Sequence, residues 1–368
     1  MQKKSLQLIF SIFMAVWLVS CEKDNNPKPE PDSFGSSFII NYGSYSGDKG
    51  GITLYNRQDS AVTNNYFEEA NGVSTISNIQ YAYQLNDRVY FCGNNADQVF
   101  WTDAKTIVQT EDGISGSDLV KPRYCVANGD ILYVSCWGGD VWSDPSVSYI
   151  TKINSTTNQV IGKIPLPGGP EGLAIARGKL YAALNYDKKI AVIKLSGDSI
   201  SYIEAPAVSS YFVKDADENL YVSLVSSYSV TVDKEGIGYI KTFTDEMTVY
   251  EKTGVSTSYS NILDFSNDFS KLYVMTTAYD INWNLSGSVE VFNTLTKTFE
   301  TEPLVSGISG LNGISVDKVN SDIQYFVAEN ATSNGKMVTI KPDGTFVKEY
   351  ETGISPFMML NIKNATND

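Results

Sequence analysis

Histidine does not occur once in this chain of 368 residues. That excludes histidine-based nucleophile triads and His-ligated zinc or haem. Basic residues are scarce as well: 28 Lys and Arg stand against 42 Asp and Glu, a formal charge of −14. Nucleic acid is therefore not an expected partner, because phosphate recognition needs clustered Lys and Arg. There are four cysteines and no C-x-x-C pair. A Gly-rich phosphate loop and an EF-hand loop are likewise missing. Beyond residue 20 no apolar run is long enough to cross a bilayer. What the chain does have is Tyr (23), Phe (16) and abundant Thr, Ser, Asn, Val and Gly, a β-rich composition.

The first 20 residues read as a sorting signal. Lys3 and Lys4 form a basic start, and residues 6–19 are an apolar stretch too short for a membrane span. The stretch ends in Leu18-Val19-Ser20-Cys21, which resembles the lipobox of bacterial lipoproteins. The resemblance implies that Cys21 carries a lipid and becomes the mature N-terminus. Residues 21–35 then form a tether, with Pro27, Pro29 and Pro31 keeping it extended. Glu22 and Asp24 resemble the surface-export signal of Bacteroidetes lipoproteins. The expected location is the outer membrane, held by the lipid alone and facing the cell exterior, with the periplasmic face as the alternative. Cys92, Cys125 and Cys136 are expected as small buried residues on strands, with one disulfide as the alternative.

Residues 36–364 are organised by repetition. An aliphatic-Tyr-apolar motif recurs at Val89-Tyr90-Phe91, Leu132-Tyr133-Val134, Leu180-Tyr181-Ala182, Leu220-Tyr221-Val222 and Leu272-Tyr273-Val274, with a looser copy ending in Tyr325-Phe326. The tyrosines are spaced by 43, 48, 40, 52 and 52 residues, and Phe38-Ile39-Ile40 is a divergent seventh copy upstream. Each motif reads as the second strand of a four-stranded unit, followed by a third strand, a polar turn such as Pro342-Asp343-Gly344, and a fourth strand. Each is also preceded by a first strand that opens at one slot. The middle residues of the slots are Asn78, Arg123, Glu171, Tyr211, Asn261, Asn312 and Phe357. The segment 356–362 is a first strand with no repeat after it, and the copy at Phe38 is a repeat without a first strand. Joining the two closes seven units into a ring. The expected fold is an all-β, seven-bladed propeller whose C-terminal strand completes the first blade.

Two of the slots lie in Pro170-Glu171-Gly172-Leu173-Ala174-Ile175 and Asn312-Gly313-Ile314-Ser315-Val316-Asp317, which resemble the blade-opening motif of YncE-like and NHL-type propellers. That resemblance covers the whole repeat region and implies an architecture, since propellers host many activities.

In a propeller the loops into the first strands and those from second to third strands share one face, around the mouth of the central channel. The seven slot residues are the candidate channel ring. Several second-to-third loops are aromatic, contributing Trp137, Trp142, Tyr186, Tyr228, Tyr279 and Trp283. Loop Trp and Tyr favour recognition; packing between loops is the alternative. Catalysis is not expected. Asp215-x-Asp217 falls in a turn on the opposite face. Glu171 with Asn78, Asn261 and Asn312 imitates the metal set of lactonase-type propellers, but no Asp occupies any ring slot. No cofactor or metal is expected.

Lipobox, acidic export signal, seven blades and aromatic face loops together resemble the vitamin B12-capturing surface lipoproteins of Bacteroidetes. The resemblance implies a corrinoid, or another small molecule, bound on one face and passed to a TonB-dependent outer-membrane transporter. A protein-interaction or adhesion scaffold, and glycan capture beside a polysaccharide transporter, are the alternatives.

Overall fold

A computed structural model describes residues 34–44, 49–75, 77–226, 234–257, 261–279 and 285–363. The strands form seven separate antiparallel sheets, the blades of a propeller. Blades two to five span residues 79–115, 122–165, 170–204 and 208–251, each with four strands in chain order. The sixth opens with the three-residue strand Leu263–Phe265 and adds the strand Val305–Ser309 to its third strand, Leu285–Asn293. The seventh spans 311–354.

The first blade is built from both ends of the chain. Its strands Phe34–Asn41, Gly51–Asn56 and Ala61–Thr63 lie beside the C-terminal strand Pro356–Lys363. Phe38 pairs with Leu360, Ile39 with Met359 and Ile40 with Met358. The Ser37 hydroxyl donates to Asn361 Oδ1 at 2.9 Å. Gln84, in the second blade, exchanges two hydrogen bonds with the backbone of Lys363 at 2.8 and 2.9 Å. The ring expected from the repeat count is therefore closed by the strand assigned to that task.

Blades stack face to face, so second strands are buried on both sides. In Lys179–Leu184 every residue after the first is buried. This is why the motif is an unbroken apolar run instead of an alternating one. Tyr90, Tyr133, Tyr181, Tyr221 and Tyr273 are all buried between blades. Phenols buried in this way need partners, and for Tyr181 and Tyr221 the outer hairpin of the next blade provides them. Tyr181 Oη donates to Asp245 Oδ1 at 2.5 Å, and Lys179 Nζ reaches the same oxygen at 2.6 Å.

One short helix, Tyr66–Asn71, joins the first two blades and seats Phe67 against Phe100. The repeat pattern carries no sign of it. Cys92, Cys125 and Cys136 are buried and unbridged. No helix among the described residues is long and apolar enough to cross a membrane.

Candidate functional site

The inner strands crowd around the axis, and their pairing with the second strands is irregular at one place. The ladder slips between Pro122 and Tyr124, between Pro170 and Leu173, between Ser209 and Phe212, and between Leu311 and Gly313. Each slip leaves a slot residue, Arg123, Glu171, Tyr211 or Asn312, as the bulge. A bulge kinks the strand and re-aims its side chain. The glycines that follow two of these slots have a matching cause. A Cβ on Gly172 would lie 2.4 Å from the Ser210 carbonyl oxygen, and one on Gly313 would lie 2.0 Å from that of Phe357. Only glycine lets neighbouring inner strands approach so closely.

Four successive blades are joined here by one polar chain. Arg123 donates to Glu171 through Nε (3.0 Å to each oxygen) and Nη2 (2.7 Å to Oε1). Arg123 Nη1 donates to Gln80 Oε1 at 3.2 Å, and Tyr211 Oη donates to Glu171 Oε1 at 2.8 Å. The Glu171 side chain is 3 % exposed and that of Arg123 15 %. Burial alone would lower the affinity of Arg123 for its proton, but the Glu171 carboxylate overrides this and holds the guanidinium charged. Burial, followed by the Glu171 charge, pushes the Tyr211 phenol well above its usual range. Tyr124 stacks on Tyr81 at 3.6 Å and lies 6.2 Å from Tyr211, adding an aromatic layer.

Of the remaining slots, Asn312 and Asn261 link neighbouring blades, and Asn78 bonds within its own. Asn312 Nδ2 donates to the Pro356 carbonyl at 2.8 Å, from the seventh blade to the first. Asn261 Nδ2 donates to Ser315 Oγ at 3.2 Å, from sixth to seventh. Asn78 Oδ1 accepts from Ser77 Oγ and from the Asn95 amide at 2.9 and 3.0 Å. Phe357 is wholly buried in a core with Phe38, Ile79 and Phe91. Its ring completes the first blade's packing, and the ladder slips there too, between Pro356 and Met358.

In the second blade the bulged residue is Gln80, between Ile79 and Tyr81, and not Asn78. The signal was present in the sequence. Gln80-Tyr81 matches Arg123-Tyr124 at the 43-residue spacing of Tyr90 and Tyr133, whereas Asn78 lies 45 residues before Arg123.

Above the Arg123–Glu171 pair sits an aromatic cluster. Trp137 lies with its ring centroid 4.0 Å from Arg123 Cζ, a cation–π contact. Trp137, Trp142 and Tyr186 meet edge to face at 5.3, 5.7 and 6.4 Å. Trp142 is 55 % exposed, and Lys121 Nζ stands 5.2 Å from its ring. Desolvation pushes the Tyr186 phenol up to about 12. The loop that presents both tryptophans is folded on its own carboxylates. Asp140 accepts from Ser143 Oγ at 2.7 Å, and Asp144 accepts from the Ser146 amide at 3.0 Å. Cys21, Tyr228 and Trp283 lie outside the described residues, and Tyr279 is described only through its backbone, at the end of the strand Lys271–Tyr279.

Glu171 is committed to Arg123 and Tyr211, and Asn312 to a neighbouring backbone. Among the described residues no three Asp, Glu or Cys side chains converge as a metal site would require. Asp215 is a turn residue, its Oδ1 accepting from the amides of Asp217 and Asn219 at 3.0 and 2.8 Å.

No protein-family profile matches the chain, and no curated protein matches it. Solved structures do. A quinonprotein alcohol dehydrogenase-like protein of Bacteroides thetaiotaomicron superposes with a TM-score of 0.65 at 14 % identity, over 89 % of this chain and 78 % of that one. A Bacteroides fragilis protein proposed to be a 6-phosphogluconolactonase gives 0.65 at 11 %, over 90 % and 99 %. The periplasmic gluconolactonase of Pseudomonas aeruginosa gives 0.59 at 10 %, over 89 % and 98 %. At these identities the likeness is one of fold: the chain is a propeller related in architecture to Bacteroides propeller proteins.

Proposed function

We propose that this chain is a lipid-anchored capture protein of the outer membrane, without catalysis of its own. It binds a flat molecule with polar arms, a corrinoid first among candidates, and passes it to a TonB-dependent outer-membrane transporter. The observation that carries this reading is Trp142. A tryptophan more than half exposed, braced edge to face by Trp137 and Tyr186 and flanked by Lys121, with Arg123 stacked on Trp137 beneath, offers a rigid apolar platform beside positive charge. Rigid aromatic anchors bind with little ordering cost.

Calorimetric titration of the purified propeller with cyanocobalamin tests the ligand. Wild type should give heat, and Trp142→Ala should weaken binding by about 2 kcal/mol, roughly 30-fold. Absence of heat with cyanocobalamin, together with Trp142-dependent binding of a maltooligosaccharide, turns the reading to glycan capture. The anchor has its own test. Cys21→Ala should move the protein from membrane to soluble fractions, and a variant that stays membrane-bound removes the lipoprotein reading.

A further inference from the structure

The face opposite Trp142 carries a cavity at the junction of the fifth and sixth blades. Its origin lies in how the blades latch. At each of three junctions a residue of the outer hairpin in left-handed backbone, Asn158, Asp245 or Lys297 (φ 54, 61 and 59), reaches the preceding blade's tyrosine strand. Arg88, two residues before Tyr90, donates to Asn158 Oδ1 at 3.0 Å. Lys179, two residues before Tyr181, pairs with Asp245 at 2.6 Å. At the fifth–sixth junction the hairpin residue is Lys297, and Asn219 stands where the fourth blade has Lys179. The carboxylate of the latch has become an ammonium. Lys297 Nζ donates to Tyr221 Oη at 2.5 Å and lies 4.0 Å from the ring centroid of Tyr239. Beside it opens a cavity of about 480 Å³, lined by Asp215, Phe265, Phe269 and Leu295 among others.

We propose that this cavity binds a small zwitterion with an apolar side chain, an α-amino acid. Two opposite charges face it with capacity in hand. Among the described residues Lys297 makes no ion pair, and only one of its three N–H groups has an acceptor. Asp215 Oδ1 is filled by the turn, while Oδ2 has a single long contact, 3.4 Å from Asn219 Nδ2. Burial pulls the Lys297 ammonium below the usual lysine range and pushes the Asp215 carboxyl up, so each charge gains from a partner. A simple anion would meet Asp215, Asp217 and Asp268 in the lining, and a simple cation would meet Lys297. A zwitterion serves both. Phe265, Phe269 and the 82 % exposed Leu295 form the apolar wall for its side chain.

Calorimetry of the purified chain with L-leucine, isopentylamine and isocaproate separates the charges. Isopentylamine is leucine without its carboxylate, and isocaproate is leucine without its ammonium. Leucine should bind, and each analogue should bind about tenfold or more weakly. Lys297→Met should abolish leucine binding. Should loss of the latch unfold that variant, Asp215→Asn, which keeps the Oδ1 acceptor of the turn, probes the other charge and should weaken leucine binding equally. No heat with leucine, isopentylamine equal to leucine, or binding that survives Asp215→Asn overturns the proposal.

Discussion

Deleting residues 356–368 is expected to abolish cooperative unfolding and leave a protein that aggregates. The C-terminal strand carries Phe357, Met358, Met359 and Ile362, all at most 5 % exposed. Burying four such side chains contributes on the order of 10 kcal/mol, comparable to the whole net stability of a domain, about 5–15 kcal/mol. The loss is also topological. The strand Phe34–Asn41 would become an open edge, an invitation to pair with other chains. The Asn361 oxygen that receives Ser37 and Arg57, and the Lys363 backbone that holds Gln84, would go too. A transfer variant separates closure from mere loss of apolar mass. Lys363 pairs with Phe34, so the segment 356–363 can be moved ahead of Phe34 through a short hairpin turn. That rearranged chain should melt in one transition near the parent temperature by calorimetry. If it fails while the plain deletion still melts sharply, closure by this strand is not what holds the ring.

The ring was legible because each blade repeats one physical requirement. A second strand buried on both faces must be apolar, and in five blades its tyrosine fills the space between neighbouring sheets. The phase of the Tyr motif therefore survives large changes in loop length, as in the step from Tyr221 to Tyr273. The closing strand was legible for a related reason: Pro356-Phe357-Met358 is a slot with nothing downstream to serve. The helix Tyr66–Asn71 and the extra strand Val305–Ser309 were not, since each occurs in one place only and answers local packing.

Slot residues were harder to read because a slot fixes position and not orientation. Arg123, Glu171 and Tyr211 lie ten residues before their tyrosines and meet in one hydrogen-bonded chain. Asn78 lies twelve before Tyr90, and the axis takes Gln80 in its place. Phe357 is in phase and bulged like Arg123, Glu171 and Tyr211, but it is apolar and wholly buried where the two chain ends meet. Lys297 gave no warning as one polar turn residue among many. Only its position against Tyr221 and Tyr239 distinguishes it from Asp245.

Replacing Glu171 by leucine is expected to cost about 3–5 kcal/mol, the usual result of leaving one partner of a buried ion pair alone. The pair is enclosed, with side chains 15 % and 3 % exposed, so solvent screens it little. Arg123 would keep only Gln80 and the face of Trp137, and the Tyr211 hydroxyl would lose its acceptor. The loss should appear as a lower denaturant midpoint with an unchanged slope. Arg123→Met alone should cost a similar amount, because it strands the carboxylate. The double variant decides what the pair is for. Taking two charges out of water offsets much of their attraction, so Arg123→Met with Glu171→Leu should recover most of the stability lost by either single change. Losses that simply add would mean that the two side chains act independently. Full recovery of stability with a weaker response to cyanocobalamin would mark the pair as a support for Trp137 and the platform above it, retained for binding at little gain in stability.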